Sequence, residues 1–149
     1  MTVTTKAYGQ MEADERQRIR FPSGLPGFEK FKEFVLLDAR QEPFYYLQSL
    51  EVAEIAFILV DPFLFRADYE LDISNEEMRT IGVASPAEVL VFAIVTVPPD
   101  GGPMTANLMG PILINRKTRA AMQAVLSDAR WKTKHDIMGE LREAGKAAC

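Results

Sequence analysis

The chain offers few side chains for catalysis. His135 is the only histidine, and Cys149, the last residue, is the only cysteine. A single imidazole excludes a metal site built from several histidines and any relay that needs two. No internal disulfide can form, and with cysteine this scarce a reducing, cytoplasmic address is the simplest expectation. The nucleophile elbow Gly-x-Ser-x-Gly, the phosphate-cradling P-loop and the dinucleotide fingerprint Gly-x-Gly-x-x-Gly are all missing. Glu76 and Glu77 form a carboxylate pair, but neighbours on a helix diverge and cannot converge on one substrate. They suit the first turn of a helix, where acids complement its dipole. These residues point away from an enzyme, and neither a cofactor nor a metal is expected.

Binding chemistry is better represented. The 149 residues carry a net charge of −4 and a pI near 5.1, a poor match for a dedicated nucleic-acid binder. The charge is unevenly spread. From Glu42 to Glu88 ten acids stand against Arg66 and Arg79, whereas from Pro103 to Lys134 six bases stand against Asp128 alone. Such runs are either two solvated faces or an acidic side that draws a basic partner. An RNA-binding reading rests on the basic stretch Arg116 to Lys134 with Trp131 to stack on a base; overall acidity argues against it, and a lone tryptophan is more often an anchor in a core or interface. Nine Phe and four Tyr are many aromatics for a small core. Phe44, Tyr45 and Tyr46 place rings on both faces of one strand, and Asp61-Pro62-Phe63-Leu64-Phe65 sets three large apolar side chains just past a proline. These either fold back as a lid or form an exposed patch of the kind that marks a protein interface.

The elements that must position these groups are mostly short strands. Turn chemistry separates Arg18 to Phe21, Glu33 to Leu37, Phe44 to Leu50, Ile55 to Val60 and Val89 to Val97, with shorter candidates at Met104 to Met109 and Ile112 to Ile114 around Gly110-Pro111. Pro43 fits only at a strand entry. Ser74 with Glu77 reads as a capping box for a short helix that Gly82 closes, and Ser85, Pro86 and Glu88 repeat the device for a single turn. Arg119 to Leu126 is rich in helix formers, and propensity alone favours helix there. Ile137 to Lys146 patterns as an amphipathic helix or a frayed tail. The fold class expected is mainly β: a small antiparallel β-barrel-like single domain over residues 1–149 with one or two short helices. Its ordered core runs from about residue 4 to 137, with mobile termini before about Thr4 and after about Ala144. The polar start lacks the apolar run of a signal peptide, and the longest apolar stretch is too short to span a bilayer, so no membrane is expected. A small β-barrel ligand carrier or enzyme using its interior as a pocket is the competing class.

Several motifs, taken in order, resemble one family. Thr5-Lys6-Ala7-Tyr8-Gly9-Gln10 precedes Phe21-Pro22-Ser23-Gly24-Leu25-Pro26-Gly27-Phe28-Glu29. Pro43-Phe44 with Leu47-Gln48-Ser49, Ala56-Phe57 before Asp61-Pro62, and Tyr69 follow. Then come Thr105-Ala106-Asn107-Leu108-Met109-Gly110-Pro111-Ile112-Leu113-Ile114-Asn115 and Met122-Gln123-Ala124-Val125-Leu126 ahead of Trp131. This order resembles the FliW family of flagellar assembly factors, from about Thr4 to Ile137. Trp131 stands where the family usually has tyrosine, and Arg119 to Ala124 is richer in alanine than the family's β-prone run. The resemblance nonetheless implies a final strand there, against propensity.

The resemblance further implies a cytoplasmic, non-catalytic partner switch that binds newly made flagellin as a chaperone. Once flagellin has been exported, it binds the translational repressor CsrA and so lifts repression of flagellin translation. Partner-binding candidates under that reading are Phe44, Leu47, Phe63 and Phe65 as apolar linings, and Glu70, Glu76 and Glu77 as acids that steer a basic partner. Gln48, Asn107 and Leu108 in the motifs complete the set, with the two amides placed either to satisfy a partner's backbone or to cap groups within the barrel.

Overall fold

The computed structural model describes the backbone of residues 1–148 and the side chains of residues 1–144. Expectations about Cys149 lie outside the described residues, and of the end expected to be mobile after about Ala144 only the backbone, which continues as helix to Ala148, is described. Strands β1 (Thr2–Thr5) and β2 (Gly9–Glu12) form a hairpin. The main sheet is built from β3 (Arg18–Arg20), β4 (Glu33–Asp38), β5 (Tyr45–Ser49), β6 (Ala56–Val60), β7 (Val89–Thr96), β8 (Thr105–Asn115), β9 (Ala121–Gln123) and β10 (His135–Asp136). Helices α1 (Asn75–Thr80) and α2 (Ile137–Ala148) complete the chain. Strands β3 to β8 pair antiparallel in sequence order, and β8 takes β9 at one end and β10 at the other. A single parallel bridge between Arg20 and Ala120, with the Arg20 N–H donating to the Arg119 carbonyl at 3.1 Å, brings β3 against the β9 side. The sheet is thereby nearly closed into the expected small antiparallel barrel.

The inside is filled. Ile19, Phe34, Leu47, Leu59, Phe92, Ile112 and Ile114 meet in one buried cluster. The strands bury residues on their outer faces too, which accounts for their near-continuous apolar runs and for the number of aromatics. On β4, Phe34 faces the barrel core while Val35 and Leu37 pack beneath the hairpin with Val3 and Ala13. On β8, Leu113 lies against Met78 and Ile81 of the α1 segment, and Leu108 lies among Phe65, Tyr69 and Trp131.

Several expectations need correction. The residues before Thr4 are held in β1, and the N-terminal amine donates to the Ala13 carbonyl at 2.8 Å. Met104 to Met109 and Ile112 to Ile114 are not two strands: β8 runs through Gly110-Pro111 by bulging between the pairs Ile94–Asn107 and Phe92–Ile112. Backbone groups in the bulge find partners elsewhere, with Leu108 and Met109 donating to the Lys132 carbonyl and Met109 accepting from Leu126. The capping box at α1 is half formed. The Ser74 hydroxyl accepts from the Glu77 amide, but Oε2 of Glu77 is buried without a hydrogen-bond partner. At the second start, Glu88 reaches back to the Ala84 and Ser85 amides as expected. Ala121–Gln123 is strand, as the family resemblance implies and helix propensity does not, because pairing with Leu113 outweighs a weak local preference.

Candidate interaction surface

The loop after β6 sends its apolar residues in opposite directions. The Asp61 carboxylate accepts from the Phe63 amide at 2.9 Å and Pro62 opens a 3-10 turn, so the chain reverses tightly. Phe65 drops into the core, only 2% exposed, while Phe63 and Leu64 stay 41% and 50% exposed. Phe63 leans on Tyr69, whose ring meets the edge of Trp131 at 4.8 Å. The Tyr69 hydroxyl donates to the Leu108 carbonyl at 2.6 Å, and burial pushes its pKa above the ordinary phenol range. Phe63 thus stands on a stack of buried aromatic rings.

Beside it, polar groups tie α2 to the barrel. Arg66 grips both oxygens of Asp68 and reaches Glu140 at 2.8 Å. Its hydrogen bonds hold the Asp68 carboxyl below its ordinary value, and the two acids raise the Arg66 guanidinium further. His135 is buried: Nε2 accepts from the Lys132 amide at 2.8 Å, leaving Nδ1 to face Glu140 at 3.0 Å. A groove of about 780 Å³ runs between this clasp and α2, with Lys132, Lys134, Asp136 and Glu143 along it. Met138 and Leu141 of α2 are 50% and 37% exposed.

The sequence-based candidates divide sharply. Leu47, Phe65 and Leu108 are core residues with no surface to offer, because their strand and loop positions point inward. Gln48 is buried as well. Its Oε1 accepts from the Lys6 amide, and its Nε2 faces the carbonyls of Ser49, Ala53 and Ile55, so it pins the hairpin to the barrel. Asn107 accepts from the Gly110 amide within the β8 bulge. Both amides serve the fold. Phe44 is half-buried against the cluster that contains Phe65. Phe63 and Glu76 are exposed, Glu70 pairs with Arg130 at 3.3 Å, and Glu77 is half-buried. The acidic run is less free than its count implies. Glu51 and Asp61 cap amides, Asp68 holds Arg66, and Glu88 takes two backbone N–H groups.

Trp131 is 2% exposed, with the Arg66 and Arg130 guanidinium groups each 4.8 Å from its ring centre and Tyr69 at its edge. It cannot stack on a base without leaving the core, which takes the stacking residue from the RNA-binding reading. Sequence reasoning placed Leu64 in a candidate patch without singling it out, and it missed Met138 and Leu141 and also the Arg66–Glu140–His135 cluster, whose members lie 74 and five residues apart. Only the helical spacing of Ile137, Leu141 and Ala144 carried a signal of α2. Among the described residues no group of three His, Cys, Asp or Glu is placed to hold a metal ion.

Fold and surface together define a class: a small, filled β-barrel that carries its exposed apolar and charged groups on the outside. A family model described as FliW protein matches residues 2–137. The flagellar assembly factor FliW of Treponema denticola is 52% identical over 146 residues, covering 98% of this chain and 99% of that one. That of Bacillus subtilis is 41% identical over 141 residues, covering 94% and 99%. A crystal structure of the flagellar assembly factor FliW superposes with a TM-score of 0.83 at 34% identity, covering 92% of this chain and 96% of the other. The chain belongs to the FliW family, whose members carry the name flagellar assembly factor.

Proposed function

We propose that this protein binds flagellin as a chaperone in the cytoplasm and, when flagellin is scarce, antagonises the translational repressor CsrA. The observation that carries the reading is membership of a family of flagellar assembly factors along almost the whole chain. The surface supports it. Phe63 and Leu64 give an amphipathic segment of flagellin an apolar foothold beside buried aromatic rings. The acid excess, of which Glu76 is the cleanest exposed member, favours encounter with a basic RNA-binding partner. Two affinities for one protein pool, linked so that each complex depletes the other, are sufficient for such a switch. No helix among the described residues is long and apolar enough to cross a membrane.

Titration of the purified protein against flagellin and against CsrA tests the reading, with binding of both expected at micromolar concentration or tighter. Failure with both removes it. Glu76→Lys is expected to slow CsrA association at low salt and to matter less as salt rises. An unchanged on-rate at every ionic strength excludes acidic steering.

A further inference from the structure

The rim of the barrel beside the β4–β5 turn carries two charges that do not pair with each other. Asp38, the last residue of β4, and Arg119, just before β9, line one hollow of about 450 Å³ with Tyr45, Leu36 and buried Ile19, beside Gln17 and an Arg16 that Asp14 holds. Neither charged group has an ion pair or side-chain hydrogen bond among the described residues, whereas Arg16, Arg18, Arg66 and Arg130 are all paired. Arg119 is also the only non-glycine described with a positive φ, +66°. That conformation is costly for a residue with a Cβ and cheap for glycine or asparagine, so an arginine there needs a reason in its side chain. The seam supplies the geometry: the Arg119 carbonyl accepts the Arg20 N–H that brings the barrel edges together, which fixes where the side chain starts.

The hollow continues on both sides. Asp38 and Tyr45 also line a second hollow of about 370 Å³ with Glu42 and Phe44, adding a second acid and ring to that end. Arg119 also lines a third of about 340 Å³ with Arg18 and Arg20, which are matched there by Glu15 and Glu33, Arg18 pairing with both acids and Arg20 with Glu33. The result is a shallow trough with an acidic end, an apolar middle and an end where three arginines outnumber two acids, at the mouth of a barrel, where ligand sites commonly form.

We propose that this trough docks a segment of a polypeptide partner in which an apolar side chain lies between a basic and an acidic residue. The apolar side chain covers Tyr45 and Leu36, the base meets Asp38 and Glu42, and the acid meets Arg119. Charge order at the trough favours a mixed-charge amphipathic segment over a uniformly basic partner, which the arginines would repel. The inference rests on the reading of flagellin as a partner, and purified flagellin is the probe. Wild type, Arg119→Gly and Asp38→Asn are titrated against flagellin and CsrA, with thermal melts as a check on folding. Arg119→Gly suits the positive φ and Asp38→Asn is isosteric, so both variants are expected to fold. Each is expected to weaken flagellin binding roughly tenfold, the loss of one charge-assisted contact, and to leave CsrA affinity within about twofold. Wild-type affinity for flagellin in both folded variants overturns the trough and spares the chaperone reading. Failure of wild type to bind flagellin overturns both. A loss confined to CsrA, or to self-association seen by sedimentation, also overturns the proposal, since another occupant then fills the trough.

Discussion

Replacing Gln48 by methionine separates an architectural amide from a partner-facing one. Methionine keeps the length and bulk of the side chain but removes its polar end. Three acceptors lie 2.9–3.2 Å from Nε2, which has only two hydrogens, and the Ile55 carbonyl already accepts from the Ser49 amide. The amide therefore contributes two donated bonds and one accepted from Lys6 at 2.9 Å. At a net 0.5–1.5 kcal/mol each, the loss is about 2–4 kcal/mol, a large share of the ~5–15 kcal/mol that stabilises an ordinary domain. For a chain of this size that corresponds to a fall in Tm of roughly 5–15 °C. Trp131 is the only tryptophan and is buried, so its emission reports unfolding directly in a urea titration. Amide exchange in β1 and β2 should accelerate, because Lys6 connects the hairpin to Gln48. The folded fraction should bind flagellin as wild type does. A stability change below about 0.5 kcal/mol accompanied by weakened flagellin binding would refute the assignment and return Gln48 to the surface.

Other substitutions test the same logic. Gly24→Ala places a Cβ 2.5–2.9 Å from the Glu29 backbone at a φ of +71°, whereas Gly27→Ala meets nothing within 4 Å at +86°. Denaturant midpoints should show the first costing on the order of 4 kcal/mol or more and the second about 1–2 kcal/mol. Phe65→Ala should cost about 3–5 kcal/mol by emptying a buried site, while Phe63→Ala, largely solvent-facing, should stay under about 1 kcal/mol and weaken flagellin binding instead. Equal melting temperatures for the two would contradict the placement of Phe65 inside and Phe63 outside. Asp68 titrates below its ordinary value in the fold because Arg66 binds its charged form. Its contribution is therefore complete above the unfolded-state value near 4 and is lost as pH falls through the lower folded-state value. Melting curves from pH 6 to pH 2.5 should fall less steeply in Asp68→Asn than in wild type; parallel curves would deny Asp68 a role.

The elements that read most clearly were those with strong local chemistry. β7, with its apolar run from Val89 to Val95 ahead of Pro98-Pro99, and the cap that Glu88 makes over Ala84 and Ser85 are written in adjacent residues. β1 and β2 were not legible because Thr, Gln and Gly have no apolar alternation, and the hairpin is held by Val3 against β4 and by Gln48, contacts that span much of the barrel. β9 was ambiguous since alanine satisfies helix and strand alike until Leu113 pairs with Met122. The interaction surface was legible only in part. Aromatic content pointed to exposed rings, yet burial on both faces of the strands absorbs most of them, and Phe63 with Leu64 is what the tight turn after Asp61 leaves outside. The isolation of Asp38 and Arg119 had no signature in sequence at all, since it arises from the curvature that brings β3, β4 and β9 to one rim.

The single bridge at the seam also governs when the molecule can become complete. Arg20 and Arg119 lie about a hundred residues apart in the chain, so joining them carries close to the largest loop-closure entropy available to this fold, roughly 4 kcal/mol from chain length alone. During synthesis, β3 to β7 can assemble hairpin by hairpin, but the ring stays open until residue 120 has left the ribosome, several seconds after β3 at ordinary rates of elongation. For that interval the edge of β3 has nothing beside it, and the arginines at Arg18 and Arg20, which flank it with charge, discourage a stray strand from taking the place reserved for the far end of the same polypeptide.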